Sequence, residues 1–272
     1  MLAFDLQAEL GEGALWDWRF DVLVSVDVRA GRLLLSDPRD GSTRALEVGQ
    51  PVGAALLRGD GELLLAVRDG FASVDLAGRA VSALVAVEAR LPGNRMNDAA
   101  CDSRGRCFAG TMALDRAPGA GALYRLDPDL SVHRILSGLG ISNGIGWSPD
   151  GELMYHVDTL AGGVDVHRYD PATGLPSGGR RLVDAQPGWG RPDGLAVDAD
   201  GGIWVAFWDG WAVRRFDSRG ELTAVIKLPV ARPTRPAFGG PELDRLYVTT
   251  ASGPILVVDA GVRGLPANAF SG

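Results

Sequence analysis

Polar side chains recur at one position of a repeated strand pattern, and their types suit the binding of a hard cation. The pattern is clearest from Arg191 to Gly210, which reads RPDGLAVDADGGIWVAFWDG, with Asp193 directly ahead of an apolar strand. The equivalent position in the other copies is occupied by Glu12, Val52, Asn97, Asn143 and Arg235. Carboxylate and amide oxygens are the ligands that Ca²⁺, Mg²⁺ and Mn²⁺ prefer. Glu12, Asn143 and Asp193 are therefore the candidate metal ligands.

This position recurs because the chain can be divided into six copies of one unit, which start 40 to 50 residues apart. Each unit continues with a turn marked by Asp or Gly, such as Asp60-Gly61, and then with further short strands of β-branched, aromatic and aliphatic residues. The third strand ends on Asp in every copy, as suits a strand that enters an Asx turn. Repeats of this length are typical of propeller blades.

The sequence predicts an all-β fold, a six-bladed β-propeller with four-stranded blades, as a single domain over residues 1–272. The sixth unit lacks a fourth strand of its own, whereas Leu2–Glu9 stands directly before the first unit. We expect this N-terminal strand to close the last blade, because a closed ring leaves only short sheet edges. The tail Gly261–Gly272 is then expected to pack outside. An ordinary β-sandwich, the alternative, gives no reason for matched turn and strand-ending residues.

In a propeller the first strand of each blade lines the central channel, so the polar residues at the repeated position are expected to converge on the axis. The loops between second and third strands return to the same face and border the mouth, among them Asp115-Arg116 and Asp158-Thr159. The alternative is that acidic and amide residues before strands only cap turns. The three histidines fall inside predicted strands, which disfavours a His-rich zinc site. The sequence contains no serine-hydrolase elbow, P-loop or dinucleotide-binding motif.

The charge and the cysteines limit the partners and the compartment. A net charge of −7 without basic clusters disfavours nucleic acid and anionic membranes as partners. The N-terminus lacks a basic signal-peptide region and no apolar run is long enough to span a bilayer, so we expect a cytoplasmic protein. We also expect a monomer or weak homo-oligomer. Cys101 and Cys107 bracket a predicted hairpin turn, where free buried thiols are favoured over a cross-strand disulfide.

Several segments together resemble the sugar lactonase family of regucalcin (senescence marker protein) and gluconolactonase. They are LGEGALWD, NRMNDAACDSRGRCFAGTM, ISNGIGWSPDG, RPDGLAVDADGGIWVA, FGG and VRGLPAN, spread over nearly the whole chain. The resemblance implies a six-bladed propeller with one central divalent cation, held by the three candidate ligands Glu12, Asn143 and Asp193. It also implies substrate binding by Arg95 and Asn97. Where regucalcin-like members have a glutamate after GTM, this chain has Asp115, one methylene shorter, as the candidate contact to a sugar hydroxyl.

The activity that this resemblance implies is metal-dependent hydrolysis of aldonolactones to aldonic acids. Asp193 is the candidate catalytic base, because a carboxylate beside the metal is within reach of the attacking water, and Glu12 is the alternative base. The cation is left open among Ca²⁺, Zn²⁺, Mn²⁺, Mg²⁺ and Fe²⁺. Two other functions remain open. One is hydrolysis of phosphotriesters or non-sugar lactones on the same metal propeller, and the other is a non-catalytic calcium-binding or interaction propeller.

Overall fold

Six four-stranded antiparallel sheets form a six-bladed β-propeller, which confirms the predicted all-β architecture. The computed structural model describes residues 1–59 and 61–272, so Asp60 of the predicted Asp60-Gly61 turn lies outside the described residues. Within those ranges, no helix has the length and apolar character needed to cross a membrane.

The strands of each blade follow one another in the chain. The first blade comprises β2 (Gly11–Asp17), β3 (Val22–Asp27), β4 (Arg32–Ser36) and β5 (Thr43–Glu47). The second comprises β6 (Val52–Arg58), β7 (Glu62–Val67), β8 (Gly70–Asp75) and β9 (Val81–Ala86). The third blade comprises β10 (Asn94–Cys101), β11 (Cys107–Ala113), β12 (Gly121–Leu126) and β13 (Val132–Leu139). The fourth comprises β14 (Ser142–Trp147), β15 (Leu153–Asp158), β16 (Gly163–Asp170) and β17 (Leu175–Asp184). The fifth blade comprises β18 (Arg191–Val197), β19 (Ile203–Trp208), β20 (Ala212–Phe216) and β21 (Leu222–Lys227). The sixth comprises β22 (Pro233–Gly239), β23 (Arg245–Thr250), β24 (Ile255–Asp259) and the N-terminal strand β1 (Leu2–Phe4).

The N-terminal strand closes the ring, as the sequence predicted. Strand β1 pairs antiparallel with β24, with Leu2 opposite Leu256. The strand ends at Phe4, short of the predicted Leu2–Glu9, and the backbone N–H groups of Glu9 and Leu10 donate to the carboxylate of Asp27 in the first blade. The chain therefore leaves the sixth blade after Phe4 and enters the first. One sheet edge is covered by chain from the opposite end of the sequence.

A β-bulge interrupts every first strand at the repeated polar position. The register between first and second strands shifts directly after Glu12, Val52, Met96, Ser142, Pro192 and Pro233. A bulge adds one residue to the strand and redirects the neighbouring side chains. Asn143 and Asp193 fall within these shifted segments and are each only 5% exposed. The local backbone irregularity, repeated around the axis, therefore brings polar side chains into the interior.

Two glycines next to these positions let neighbouring first strands approach closely. A Cβ on Gly144 would lie 2.5 Å from the backbone nitrogen of Leu195, and a Cβ on Gly194 would lie 2.7 Å from the Cβ of Arg235. Both distances are below van der Waals contact, so a larger residue would push the strands apart. The N-G and D-G pairs of the sequence thus hold the fourth, fifth and sixth blades together at the axis.

Apolar side chains fill the space between adjacent blades. Between the first two blades, for example, Leu33, Leu57 and Leu63 are completely buried. Burying one such side chain stabilises the fold by roughly 1.5–3 kcal/mol. The aspartates that end the third strands close the adjoining turns, as predicted. Asp37 and Asp170 accept a hydrogen bond from the backbone N–H two residues further on.

The C-terminal tail runs across the channel end that is remote from Glu12. Gly264 bridges to Asp198 of the fifth blade, and the N–H of Phe270 donates to the carbonyl of Leu57 in the second. Phe270 is 2% exposed, so the tail is anchored by a buried aromatic ring. The thiols of Cys101 and Cys107 lie opposite each other across the β10–β11 pair, and both are free and buried.

Candidate functional site

The three candidate metal ligands come from three different blades and meet at the channel axis. The Nδ2 atom of Asn143 donates a hydrogen bond to Oδ1 of Asp193, although the two residues are 50 positions apart. The Glu12 carboxylate is close enough to act electrostatically on Asp193. Glu12 is partly buried and accepts a hydrogen bond of 3.0 Å from the N–H of Gly13. Asn143 and Asp193 are thus in direct contact, and Glu12 lies within electrostatic range of Asp193.

The amide of Asn143 is held in one orientation by its neighbours. The hydroxyl of Thr159 donates to the carbonyl oxygen of Pro192 at 2.8 Å, so it accepts the hydrogen bond of 3.1 Å from Nδ2 of Asn143. Nδ2 therefore faces Thr159 and Asp193, and the oxygen Oδ1 points away from both. This oxygen is buried and has no hydrogen-bond partner among the described residues. A buried amide oxygen without a donor is a site where a cation would satisfy the missing interaction.

The carboxyl groups of the cluster hold their protons more tightly than ordinary carboxyl groups. Burial, followed by the negative charge of Asp98, raises the pKa of Glu12 to about 8. Burial also raises the pKa of Asp193 well above its usual range, and the charges of Glu12 and Asp98 add to the effect. The hydrogen bond from Asn143 and the positive charge of Arg95 act in the opposite direction. The site thus disfavours its own negative charge as long as no cation is bound.

Arg95 and Asn97 form a connected pair beside this cluster. The Nη1 group of Arg95 donates to Oδ1 of Asn97 and to the carbonyl of Met96, both at 2.9 Å. The Nδ2 group of Asn97 donates to the carbonyl oxygen of Ser142 at 2.9 Å. Burial lowers the pKa of Arg95 to about 10, and the negative charges of Glu12 and Asp193 act in the opposite direction. Asn97 therefore ties Arg95 to the fourth blade.

Asp115 is not brought into this cluster. It lies on an exposed turn after β11, and its carboxylate accepts a hydrogen bond of 3.0 Å from the N–H of Ala117. Within the described ranges it shares no hydrogen bond or ion pair with Arg95 or Asn97. Its carboxylate is exposed to solvent, and a role in substrate binding stays a prediction.

Two buried charged residues belong to the site although they are absent from the sequence-based set of ligands and substrate contacts. Asp98 follows Asn97 within the bulge of β10, and the guanidinium group of Arg235 in β22 donates to its carboxylate. Asp98 raises the pKa of Glu12, and Arg235 opposes that effect. The N-D pair in the third unit was the available signal, because a bulge turns two successive side chains away from regular alternation.

A buried histidine contacts the residue that holds Asn97 in place. The Nε2 atom of His156 lies 2.8 Å from the hydroxyl of Ser142, the residue whose carbonyl holds Asn97. His156 is 1% exposed, and burial lowers its pKa to about 4. It is therefore neutral at physiological pH and acts as a hydrogen-bonding spacer. The prediction that the histidines lie within strands is confirmed for His156, which is part of β15.

The oxygen-rich cluster fits a hard divalent cation. It offers two carboxylates and one amide oxygen, a donor set that Ca²⁺, Mg²⁺ and Mn²⁺ accept. Among the described residues, no three His, Cys, Asp or Glu side chains form a metal-binding group, and here the third donor is the amide of Asn143. The unpaired Oδ1 of Asn143 is the structural feature that favours a cation at this position.

A separate cavity of about 540 Å³ lies at the opposite end of the first strands. Leu15, Ile145, Leu195 and Phe238 contribute to its apolar lining, and Leu265 of the tail contributes to one wall. Arg235 also lines this cavity while its guanidinium group contacts Asp98. The residue therefore lies between the polar cluster and the apolar end of the channel.

Comparison with known proteins gives a family match and close structural neighbours. A family model described as the SMP-30/Gluconolactonase/LRE-like region matches residues 10–252. Regucalcin of Xenopus laevis is 34% identical, over 97% of this chain and 95% of its own length. Pentonolactonase XacC of Haloferax volcanii is 38% identical, over 92% of this chain and 84% of its own. A crystal structure described as a calcium-binding protein, regucalcin from Agrobacterium tumefaciens, superposes with a TM-score of 0.90 at 28% identity, covering 99% of this chain and 97% of that chain.

Proposed function

Because the chain belongs to the SMP-30/gluconolactonase/LRE-like family, we propose that it is a metal-dependent lactonase that opens sugar lactones to the corresponding aldonic acids. The observation that carries the proposal is the buried cluster of Glu12, Asn143 and Asp193, with its unpaired amide oxygen. The pentonolactonase among its relatives supports a sugar lactone as the substrate. We further propose that the single-domain protein works in the cytoplasm as a monomer or weak homo-oligomer. Its free thiols at Cys101 and Cys107 suit a reducing compartment.

Lactone hydrolysis needs a nucleophilic water, stabilisation of the oxyanion and a fixed substrate. A divalent cation held by Glu12, Asn143 and Asp193 would supply the Lewis acidity that stabilises the developing oxyanion. Asp193 accepts the proton of the attacking water, because a carboxylate beside the cation is within reach of that water. The oxygen of water then bonds to the carbonyl carbon, the ring C–O bond breaks, and the released alkoxide takes up a proton.

Arg95 orients the substrate in this reaction. Its guanidinium group has N–H donors beyond the Nη1 contacts to Asn97 and Met96, and these can bind sugar oxygens as a fixed fork. Asn97 holds that fork by accepting from Nη1 and by donating to Ser142. Asn97 retains one N–H and one oxygen lone pair for a substrate hydroxyl. Asp115 extends the contact area at the rim through its free carboxylate oxygen.

The proposal is tested by acid release from a panel of lactones. The protein is treated with a chelator, and gluconic, xylonic, arabinonic and galactonic lactones are each hydrolysed after readdition of Ca²⁺, Mg²⁺, Mn²⁺, Zn²⁺ or Fe²⁺. We expect cation-dependent acid release above the spontaneous rate for at least one sugar lactone. A paraoxon-like phosphotriester and a non-sugar lactone serve as rival substrates. Faster turnover of these would favour the alternative hydrolase function.

The absence of turnover on every substrate would contradict the lactonase proposal. If the protein nevertheless bound Ca²⁺ in the same preparation, the non-catalytic calcium-binding propeller would be the better description. Measuring cation binding by calorimetry alongside the acid-release assay separates these two outcomes.

A further inference from the structure

Asp98 and Arg235 form a buried ion pair across the channel, between the third and the sixth blades. The Nη1 group of Arg235 donates to Oδ1 of Asp98 and, at 3.0 Å, to the carbonyl oxygen of Ala99. The side chains of Asp98 and Arg235 are 4% and 10% exposed. The second carboxylate oxygen of Asp98 is buried without a hydrogen-bond partner among the described residues. Oδ1 of Asp98 also accepts a hydrogen bond of 2.7 Å from the N–H of Ala99, so one of its two carboxylate oxygens is satisfied and the other is not.

The pair is adjacent to residues of the candidate site. Asp98 directly follows Asn97, and the stem of Arg235 lies against Gly194, which directly follows Asp193. Asp98 acts on both Glu12 and Asp193, and Arg235 acts in the opposite sense on Glu12. Three carboxylates and two guanidinium groups, including that of Arg95, are thus gathered at one end of the channel. Because Arg235 is in direct contact with Asp98, the negative charge that is left facing a cation is that of Glu12 and Asp193.

Arg235 cannot easily move away from this position. Its backbone N–H donates to the hydroxyl of Thr249 at 3.2 Å, and its Cβ and Cγ atoms lie against Gly194. A Cβ on Gly194 would lie 2.7 Å from the Cβ of Arg235, so the stem occupies the space that this glycine leaves. The guanidinium group is therefore a charge at a fixed place rather than a mobile surface charge.

We propose that Arg235 is a positioning residue whose fixed positive charge sets the affinity of the site for its metal. By neutralising Asp98, it limits the negative charge that faces the metal to the carboxylates of Glu12 and Asp193, and in this way it weakens metal binding. Asp98 in turn shields the metal site from the full positive charge of Arg235. This inference rests on the proposed metal-dependent function and adds a determinant of metal affinity that lies outside the ligand set.

The opposite charges of the pair predict opposite effects on metal affinity. Arg235→Met keeps an apolar stem but removes the positive charge, so we expect Mn²⁺ to bind about tenfold or more tightly. Asp98→Asn leaves the positive charge without its partner, so we expect Mn²⁺ to bind about tenfold or more weakly. The double variant Asp98→Asn/Arg235→Met removes both charges, and its affinity should return to within about threefold of the wild-type value.

The experiment is a calorimetric titration of chelator-treated full-length protein with Mn²⁺ at one pH, for the wild type and the three variants. Arg215→Met is the matched control, since Arg215 forms a comparable ion pair with buried Asp198 in the fifth blade. Its affinity should stay at the wild-type value. If Arg235→Met does not fold, as judged by circular dichroism, the comparison of Asp98→Asn with the double variant still measures the effect of the arginine charge.

Three results would overturn this inference. Unchanged affinity in Arg235→Met, with normal binding by the wild type, would remove the role of Arg235 and leave the proposed function intact. Weak binding in the double variant would instead identify Asp98 as a direct ligand. If the wild type bound no divalent cation, the proposed function would fail together with this inference.

Discussion

The amide nitrogen of Asn143 donates a hydrogen bond to the carboxylate of Asp193, and this contact joins the first strands of two neighbouring blades at the channel axis. Thr159 occupies the other side of the same nitrogen, which leaves the amide oxygen buried and unpaired. The two candidate ligands therefore orient each other. A change in either one alters both the charge and the geometry of the cluster.

Replacing Asp193 with Asn should abolish catalysis without weakening the fold. The substitution removes the candidate base and one anionic ligand, so we expect kcat/KM for the best lactone to fall by about 10³-fold or more. The thermal midpoint of the metal-free protein should stay equal or rise, because burial already disfavours the charged form of Asp193. Asp200→Asn, at an exposed position of the same blade, is the control. Equal loss of activity in both variants would remove the special role of Asp193.

Removing the metal should reverse the usual effect of pH on stability. The pKa of Glu12 in the metal-free folded protein is raised from 4.5 to about 8, so the folded state binds more protons than the unfolded state between these values. The free energy of unfolding should then fall by a few kcal/mol as the pH rises from about 4.5 to about 8. Urea unfolding at several pH values, with chelator present, measures this slope.

The matched variant for this pH effect is Glu12→Gln, which cannot titrate and should show a shallower slope. A divalent cation binds the ionised carboxylates, so its addition should stabilise the protein more strongly at about pH 8 than at about pH 6. Identical slopes for the wild type and Glu12→Gln would contradict the raised pKa of Glu12.

Replacing Arg95 with Met should act mainly on substrate binding. The variant loses charge-assisted hydrogen bonds to the sugar, and we expect kcat/KM to fall about 10- to 100-fold, largely through a higher KM. Steady-state kinetics on the best lactone at saturating metal measure the two parameters. Arg104→Met, at an exposed position on the β10–β11 turn, should behave as the wild type. A wild-type KM in Arg95→Met would argue against substrate binding by this arginine.

The buried His156 should destabilise the protein in mild acid. Its pKa is lowered from 6.5 to about 4 in the folded state, so the unfolded state takes up the proton first as the pH falls. The contribution of neutral His156 to the free energy of unfolding is fully present above about pH 6.5. It is lost progressively as the pH falls towards about 4, by about 3 kcal/mol in all. Urea unfolding of His156→Gln across this range should show a smaller loss than the wild type.

The blade pattern, the ring closure and the candidate ligands were predictable from the sequence. These features follow from local chemistry repeated six times. Short apolar strands and Asp-rich turns recur at matched spacing, and five of the six copies carry a polar residue at the start of the first strand. Repetition places these equivalent residues around one axis. Glu12, Asn143 and Asp193 could be selected in this way before any contact was known. The extent of β1 was less predictable: it ends at Phe4, and the N–H of Glu9, the last residue of the predicted strand, donates to Asp27 of the first blade.

The atoms of these residues that form hydrogen bonds, and the additional charges around them, depend on contacts between blades. The unpaired oxygen of Asn143 depends on Thr159, which depends in turn on the carbonyl of Pro192. The pairing of Asp98 with Arg235 joins residues that are 137 positions apart. No local pattern encodes such contacts, because side-chain hydrogen bonds and desolvation depend on packing between blades rather than on the order of residues within one. The repeated sequence pattern therefore locates the site, whereas its electrostatic properties arise from contacts between distant segments.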